Sequence, residues 1–249
     1  MNKYLRFFVI LIALTAVMSV LVYAAPTPEI TVTAGVTEDP RQTAASIQLL
    51  FLVSIIALAP TLIMMVTCFP RVIIALHFLR SAMATQQMPP NQVLIALALF
   101  ITLALMGPTF SKINNDAIKP FADGTISQEE ALVKGMAPLR EFMFKNVQDK
   151  DLALFWEISG KDKFESYDDI PNQVLIPAFL LGEVSNGFKI GVYIYIPFIV
   201  IDMVVASILM AMGMMMLPPA MISMPFKILL FVSVDGWNLF VKAVIAGFG

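Results

Sequence analysis

Apolar residues gather along this chain in long blocks, and the polar stretches between them differ in kind. Ile47 to Phe69 is the first block after the N-terminal segment long enough to cross a bilayer, which takes about 20 mainly apolar residues. Pro60 lies inside it, so a kink or break is expected there. A polar stretch, Arg80 to Gln92, carries Gln-Gln-Met-Pro-Pro-Asn at 86–91, and Val93 to Phe110 is the second block. Arg71 and Arg80 flank this connection, which suits a cytoplasmic loop under the positive-inside rule.

From Lys112 to Asn172 the pattern becomes that of a water-facing helical module. Ser127 and Glu130 have capping-box spacing. Leu139, Phe142, Met143 and Val147 recur at helical intervals, and a further helical stretch with Leu152, Leu154, Phe155 and Trp156 follows Asp149-Lys150-Asp151. A module of about 60 residues is marginal alone, so it is expected to pack on its neighbours. Val174 to Leu217 is apolar but interrupted by Pro177, Gly182-Glu183, Gly187, Lys189 and Pro197; its clearest span is Ile190 to Met210. A methionine cluster and Pro218-Pro219 come next, and Ile222 to Ile245 is the last block. Both hairpins turn at a Pro-Pro pair. The predicted fold is all-α: a membrane protein of broken helical hairpins with a small helical periplasmic domain.

The N-terminus carries Lys3 and Arg6, then an apolar run from Phe7, and closes on Val22-Tyr23-Ala24 before Ala25-Pro26. That is the order of a secretory signal, with cleavage expected after Ala24; an uncleaved first helix is the competing reading. Pro26 to Thr43 lacks periodicity and reads as a flexible, non-cytoplasmic tether. The division is therefore 1–24 signal, 25–45 linker, 46–111 first hairpin, 112–173 periplasmic helical domain and 174–249 second hairpin.

Composition agrees. Of 249 residues 59% are hydrophobic and 14% charged, against about 45–50% and about 25% in soluble domains. With 16 basic and 18 acidic residues there is no field for nucleic acid, and no dense basic run. Cys68 is the only cysteine and His77 the only histidine, nine positions apart with Pro70 between them. No third group orients them as a nucleophile and base, and no phosphate-loop or zinc-protease motif is present. An enzyme, a metal site and a cofactor are not expected.

Three features go beyond a generic bundle. Glu183, Asp202, Lys227 and Asp235 stand inside apolar stretches, where a charge costs about 2.5–3.5 kcal/mol on insertion scales. They read as buried in protein, whereas Lys189 reads as snorkelling to the interface. Second, Met210-Ala-Met-Gly-Met-Met-Met216 gathers flexible, polarizable side chains around a glycine. Any one of them could be an ordinary lipid or core methionine. Repeated around a ring, they would form a deformable apolar plug of the kind that closes pores by excluding water. Third, proline and glycine within apolar segments point to backbone covered by protein or facing a cavity.

Several strings resemble the signature of the FliP family of flagellar biosynthetic proteins: Arg71-Val-Ile-Ile74 with Gln86-Gln-Met-Pro-Pro-Asn-Gln-Val-Leu94, Pro138-Leu-Arg-Glu-Phe-Met143, Tyr195-Ile-Pro-Phe-Ile-Val-Ile-Asp202, Met212-Gly-Met-Met-Met-Leu-Pro-Pro219, and Pro225-Phe-Lys227 with Val234-Asp-Gly-Trp237. The resemblance covers the chain after about residue 45. It implies a subunit of the type III secretion export gate, in the inner membrane at the flagellar basal body. There a homo-oligomer, a pentamer in the family, joins FliQ and FliR in a helical ring that passes unfolded flagellar subunits. FlhB, FlhA and the assembly factor FliO are the further partners implied. The same resemblance implies a gasket at Met212, Met214, Met215 and Met216, an intersubunit ion pair of Glu183 and Lys227, and ring-assembly aromatics at Phe142 and Phe155. It also implies that apolar segments pack largely on sibling subunits. Cys68 and Pro70 depart from the family's common residues, and Pro70 is expected to alter the turn after the first span.

The alternatives are the equivalent subunit of a virulence-type injectisome, which shares the Pro-Pro-Asn and methionine strings, and a solute transporter, which broken helices and midplane charges also suit. The signal and tether favour the flagellar branch. A transporter would need neither the methionine plug nor the periplasmic module.

Overall fold

In the computed structural model the described residues are 40–85, 87–160, 169–214 and 216–248. The expected signal and most of the tether fall outside them, as do residues 161–168, Gln86, Met215 and Gly249. Every regular element among the described residues is helical. α1 spans Pro40–Met65, α2 Phe69–Ala82 and α3 Asn91–Ile113; a π-helical turn, Asn114–Ile118, carries α3 into the short α4, Lys119–Ala122. α5 is Gln128–Asn146, α6 Asp149–Ile158, α7 Asn172–Ala211, α8 Pro219–Ser233 and α9 Gly236–Ala246.

The breaks do not fall where prolines alone would put them. α1 runs on through Pro60 and starts at Pro40, taking in the last residues read as tether. The chain breaks instead at Thr67-Cys68, and Pro70 sits in the first turn of α2, where its missing N–H costs nothing. α7 is one helix of 40 residues that passes through Pro177 and Pro197. At 1.5 Å per residue it is about 60 Å long, about twice the hydrocarbon core. Two helical stretches among the described residues, Asn91–Ala122 and Asn172–Ala211, are long and apolar enough to span a membrane, and α8 with α9 forms a third candidate bent by 69°.

Two apolar clusters hold residues 54–249 together. In α2, Val72, Ala75, Leu76 and Leu79 form a stripe at helical spacing, continued by the C-cap Met83, that packs on Leu94, Ala98 and Ile101 of α3, Phe198 of α7, Phe231 of α8, and Phe240 and Val244 of α9. Gly187 and Gly191 let α2 close on α7: a Cβ at Gly187 would meet the Arg71 carbonyl at 3.1 Å, and one at Gly191 would enter the Phe78 ring. In the second cluster Met143 of α5 and Leu152 of α6 pack on Val174, Leu175, Ala178 and Phe179, the first turns of α7. The helical module thus borrows its core from α7, as its small size requires. Ser127 caps α5, accepting the Glu130 amide at 3.2 Å. Along α7 a different face stays apolar and exposed, with Val192, Tyr193, Ile196, Val200, Met203 and Val204.

Candidate functional site

The methionine string is a helix stop followed by a helix start. The Met214 amide donates to the Leu209 carbonyl and the Gly213 amide to the Met210 carbonyl, both at 3.0 Å. These are the paired bonds of a Schellman motif, which needs a left-handed residue just past the helix. Gly213, at φ 75°, supplies it. Pro219 then sits in the first turn of α8, so Leu-Pro-Pro restarts the chain as a helix. The turn between them projects the thioethers of Met212 and Met216. Met216 is 98% exposed, Met212 is exposed and Met214 half-buried, with Met215 outside the described residues. Met212 and Met214 line an apolar hollow with Val204, Ile208, Leu217 and Phe226.

Nine residues below the end of α7, a polar cluster ties the hairpin. Lys227 Nζ donates to Asp202 Oδ2 at 2.6 Å, and Ser223 Oγ donates to Oδ1 at 2.5 Å. Ser223 and Lys227 are four apart and so share one face of α8. The pair is lopsided: the Lys227 side chain is 3% exposed and that of Asp202 34%.

A second buried ion pair is built on Glu183. Its carboxylate is fully buried and held bidentately by Arg71, whose Nε donates to Oε2 at 3.0 Å and whose Nη2 donates to Oε1. Arg71 Nη1 also donates to the Gly247 carbonyl at 2.6 Å, and the guanidinium lies 3.6 Å over the Phe248 ring. Such a planar fork fits a carboxylate in a way that lysine cannot.

Glu183 and Lys227, expected to pair between copies, therefore have separate partners within one chain. Of the four charges read as buried, Glu183 and Lys227 are so in the single chain, Asp202 is half-buried, and Asp235 is exposed. Asp235 serves the backbone instead: at φ 52° it stands at the corner between α8 and α9. Phe142 and Phe155 both pack against the α5–α6–α7 core, and Phe142 meets Phe179 edge-on with centroids 5.8 Å apart. Cys68 is buried in the α1–α2 turn, while a His77 ring nitrogen is 2.8 Å from the Ile73 carbonyl one turn back. Among the described residues no cluster of His, Cys, Asp or Glu could hold a metal ion.

Sequence reading missed Arg71 as the partner of Glu183, taking it for a loop-flanking charge. The available signal was its place at the head of the α2 stripe, next to Val72. Ser223 gave no signal beyond lying one turn before Lys227.

Comparison with known proteins adds a second line. The sequence profile of the FliP family matches residues 52–244. The flagellar biosynthetic protein FliP of Bacillus subtilis (strain 168) is 53% identical over 210 residues, 84% of this chain and 95% of the relative. That of Borreliella burgdorferi is 47% identical over 208 residues, 82% of each chain. That of Treponema denticola is 47% identical over 201 residues, 80% of this chain and 74% of the relative.

Proposed function

The chain belongs to the FliP family, and from that premise we propose that it is a core subunit of a flagellar type III export gate, several copies of which enclose the passage for unfolded subunits. It is a membrane component of flagellar export; the ring with FliQ and FliR, the contacts with FlhB and FlhA, and assembly through FliO make up the finer reading. The observation that carries the proposal is the turn at 212–217, which leaves Met212 and Met216 exposed at the tip of the α7–α8 hairpin in the single chain. Exposed methionines at the tip of a braced hairpin are costly in a monomer and useful in a ring. There they meet their copies and form a constriction that excludes water.

Each element has a part in this reading. Met side chains are unbranched and adaptable, so the seal yields around a polypeptide and closes after it. The Schellman stop and the Pro-Pro start fix where the turn sits, and the Asp202–Ser223–Lys227 cluster holds its two legs in register. The exposed apolar faces of α7 and α8 bury against sibling subunits or lipid. Arg71 and Glu183 brace the other end of α7, so load on the hairpin is carried into the helical module.

The test replaces Met212, Met214 and Met216 by alanine together in cells that express the complete gate. The expected result is normal complex assembly with a membrane made leaky to small ions. Assembled complexes with unaltered ion conductance would overturn the gasket role.

A further inference from the structure

α9 has a hinge at one end and a fastening at the other. At the hinge, α8 and α9 meet at 69° across Val234-Asp235. Asp235 takes the left-handed conformation there, and its carbonyl receives the Asn238 and Leu239 amides that restart the helix. Gly236 lies against the Phe231 ring so closely that a Cβ would fall inside it. The corner is thus backbone-defined and needs no partner.

At the far end Phe248 is held between two groups. The Arg71 guanidinium covers one side at 3.6 Å from the ring centroid. The Phe142 ring stacks with it at 6.3 Å and 23°. Phe142 belongs to α5, in the helical module, and Arg71 to α2. With Nε and Nη2 on Glu183 of α7 and Nη1 on the Gly247 carbonyl, Arg71 uses three nitrogens on three acceptor oxygens and a face on the ring. Four helices meet through one guanidinium and one phenyl ring. Between hinge and fastening only Gly236, Phe240 and Val244 of α9 are buried, and Asn238, Leu239, Lys242 and Ala243 are exposed.

We propose that α9 is a strap, and that Phe248, seated between Arg71 and Phe142, is the fastening that ties its far end across the seam between the helical module and the hairpin core. Arg71 is a positioning residue whose charge Glu183 already balances; its further bonds to Gly247 and Phe248 are what hold the strap down. Release at Phe248 leaves α9 held by Phe240 and Val244 alone, so that it can lift about Asp235, while Met143 and Leu152 keep the module on α7. A lysine at 71 keeps the charge but loses the fork and the flat face.

The test uses the full chain in detergent with Cys68→Ser, spin-labelled at cysteines replacing Lys150 on α6 and Lys242 on α9, both exposed. Pulsed EPR is expected to give one narrow distance in this parent. Phe248→Leu, which keeps an apolar side chain but removes the aromatic face, is expected to raise the population outside that peak by about tenfold, in line with the loss of a desolvated cation–π contact. Arg71→Lys is expected to do the same, and Phe248→Trp to restore the narrow peak. Phe248→Leu leaves the Arg71–Glu183 pair in place, so it decides the matter even where Arg71→Lys fails to fold. A broad distribution in the parent, or an unchanged one in Phe248→Leu, would overturn the strap.

Discussion

Removing either end of the Asp202–Lys227 pair should not cost the same. Asp202→Asn keeps the side-chain shape and an oxygen for Ser223, but leaves the Lys227 ammonium, 3% exposed, without a counter-charge. Removing one member of a buried pair costs about 3–5 kcal/mol, and the 34% exposure of Asp202 puts this case near the lower end, because solvent already screens part of the attraction. Lys227→Met fills the same buried space with an apolar chain. The carboxylate it leaves behind keeps its Ser223 donor and a surface edge, so the loss is about 1 kcal/mol. The double variant has no stranded charge and should recover most of what Asp202→Asn loses.

Cys68 provides the assay: as the chain's only cysteine, with no exposure when folded, it reacts with a fluorogenic maleimide only on unfolding. At about 2–4 °C per kcal/mol for a chain of this size, Asp202→Asn should lower Tm by about 6–12 °C. Lys227→Met should lower it by about 2–4 °C. The reasoning fails if Lys227→Met is the more damaging of the two, or if the double variant is no more stable than Asp202→Asn alone.

Two glycines on apolar helices should respond in opposite senses to alanine. Gly191→Ala forces the Phe78 ring aside, costing about 1–3 kcal/mol, whereas a Cβ at Gly107 meets nothing within 4 Å and should stabilise α3 by about 0.5–1 kcal/mol; the same thermal assay reads both. Ser127→Ala removes the cap of α5, worth about 1 kcal/mol, and should speed hydrogen exchange at the Glu130 amide while leaving α7 amides unchanged.

Much of this architecture could be read from the chain because its signals are local. The helical module announces itself by its charges, its cap at Ser127 and the apolar spacing of Leu139, Phe142 and Met143. Each of these features acts within one or two helical turns. The methionine turn was legible for the same reason, since Gly213 and Pro218-Pro219 stop and start helices within a few residues. The continuity of α7 was not legible. Pro177 and Pro197 look like breaks, but α7 packs along α2 and against the module, and such packing outweighs the loss of single backbone bonds. The real corner lies at Asp235-Gly236, where an αL residue and a ring stacked on a glycine leave little trace in an apolar pattern. Ion-pair partners were the least legible. Glu183 and Arg71 are 112 residues apart, and only the closure of α2 on α7 at Gly187 and Gly191 brings them together. Asp235 misled because an acid inside an apolar run looks the same whether it serves a partner charge or a backbone corner.

The central claim is that copies of this chain bring their 212–217 turns together. Met216→Cys in a Cys68→Ser background, oxidised in the assembled complex, tests it most directly. The account predicts covalent dimers in high yield, since each turn has a neighbour's turn within reach. Cysteines that stay monomeric on oxidation yet react freely with a membrane-soluble maleimide would place the methionines against lipid and contradict it.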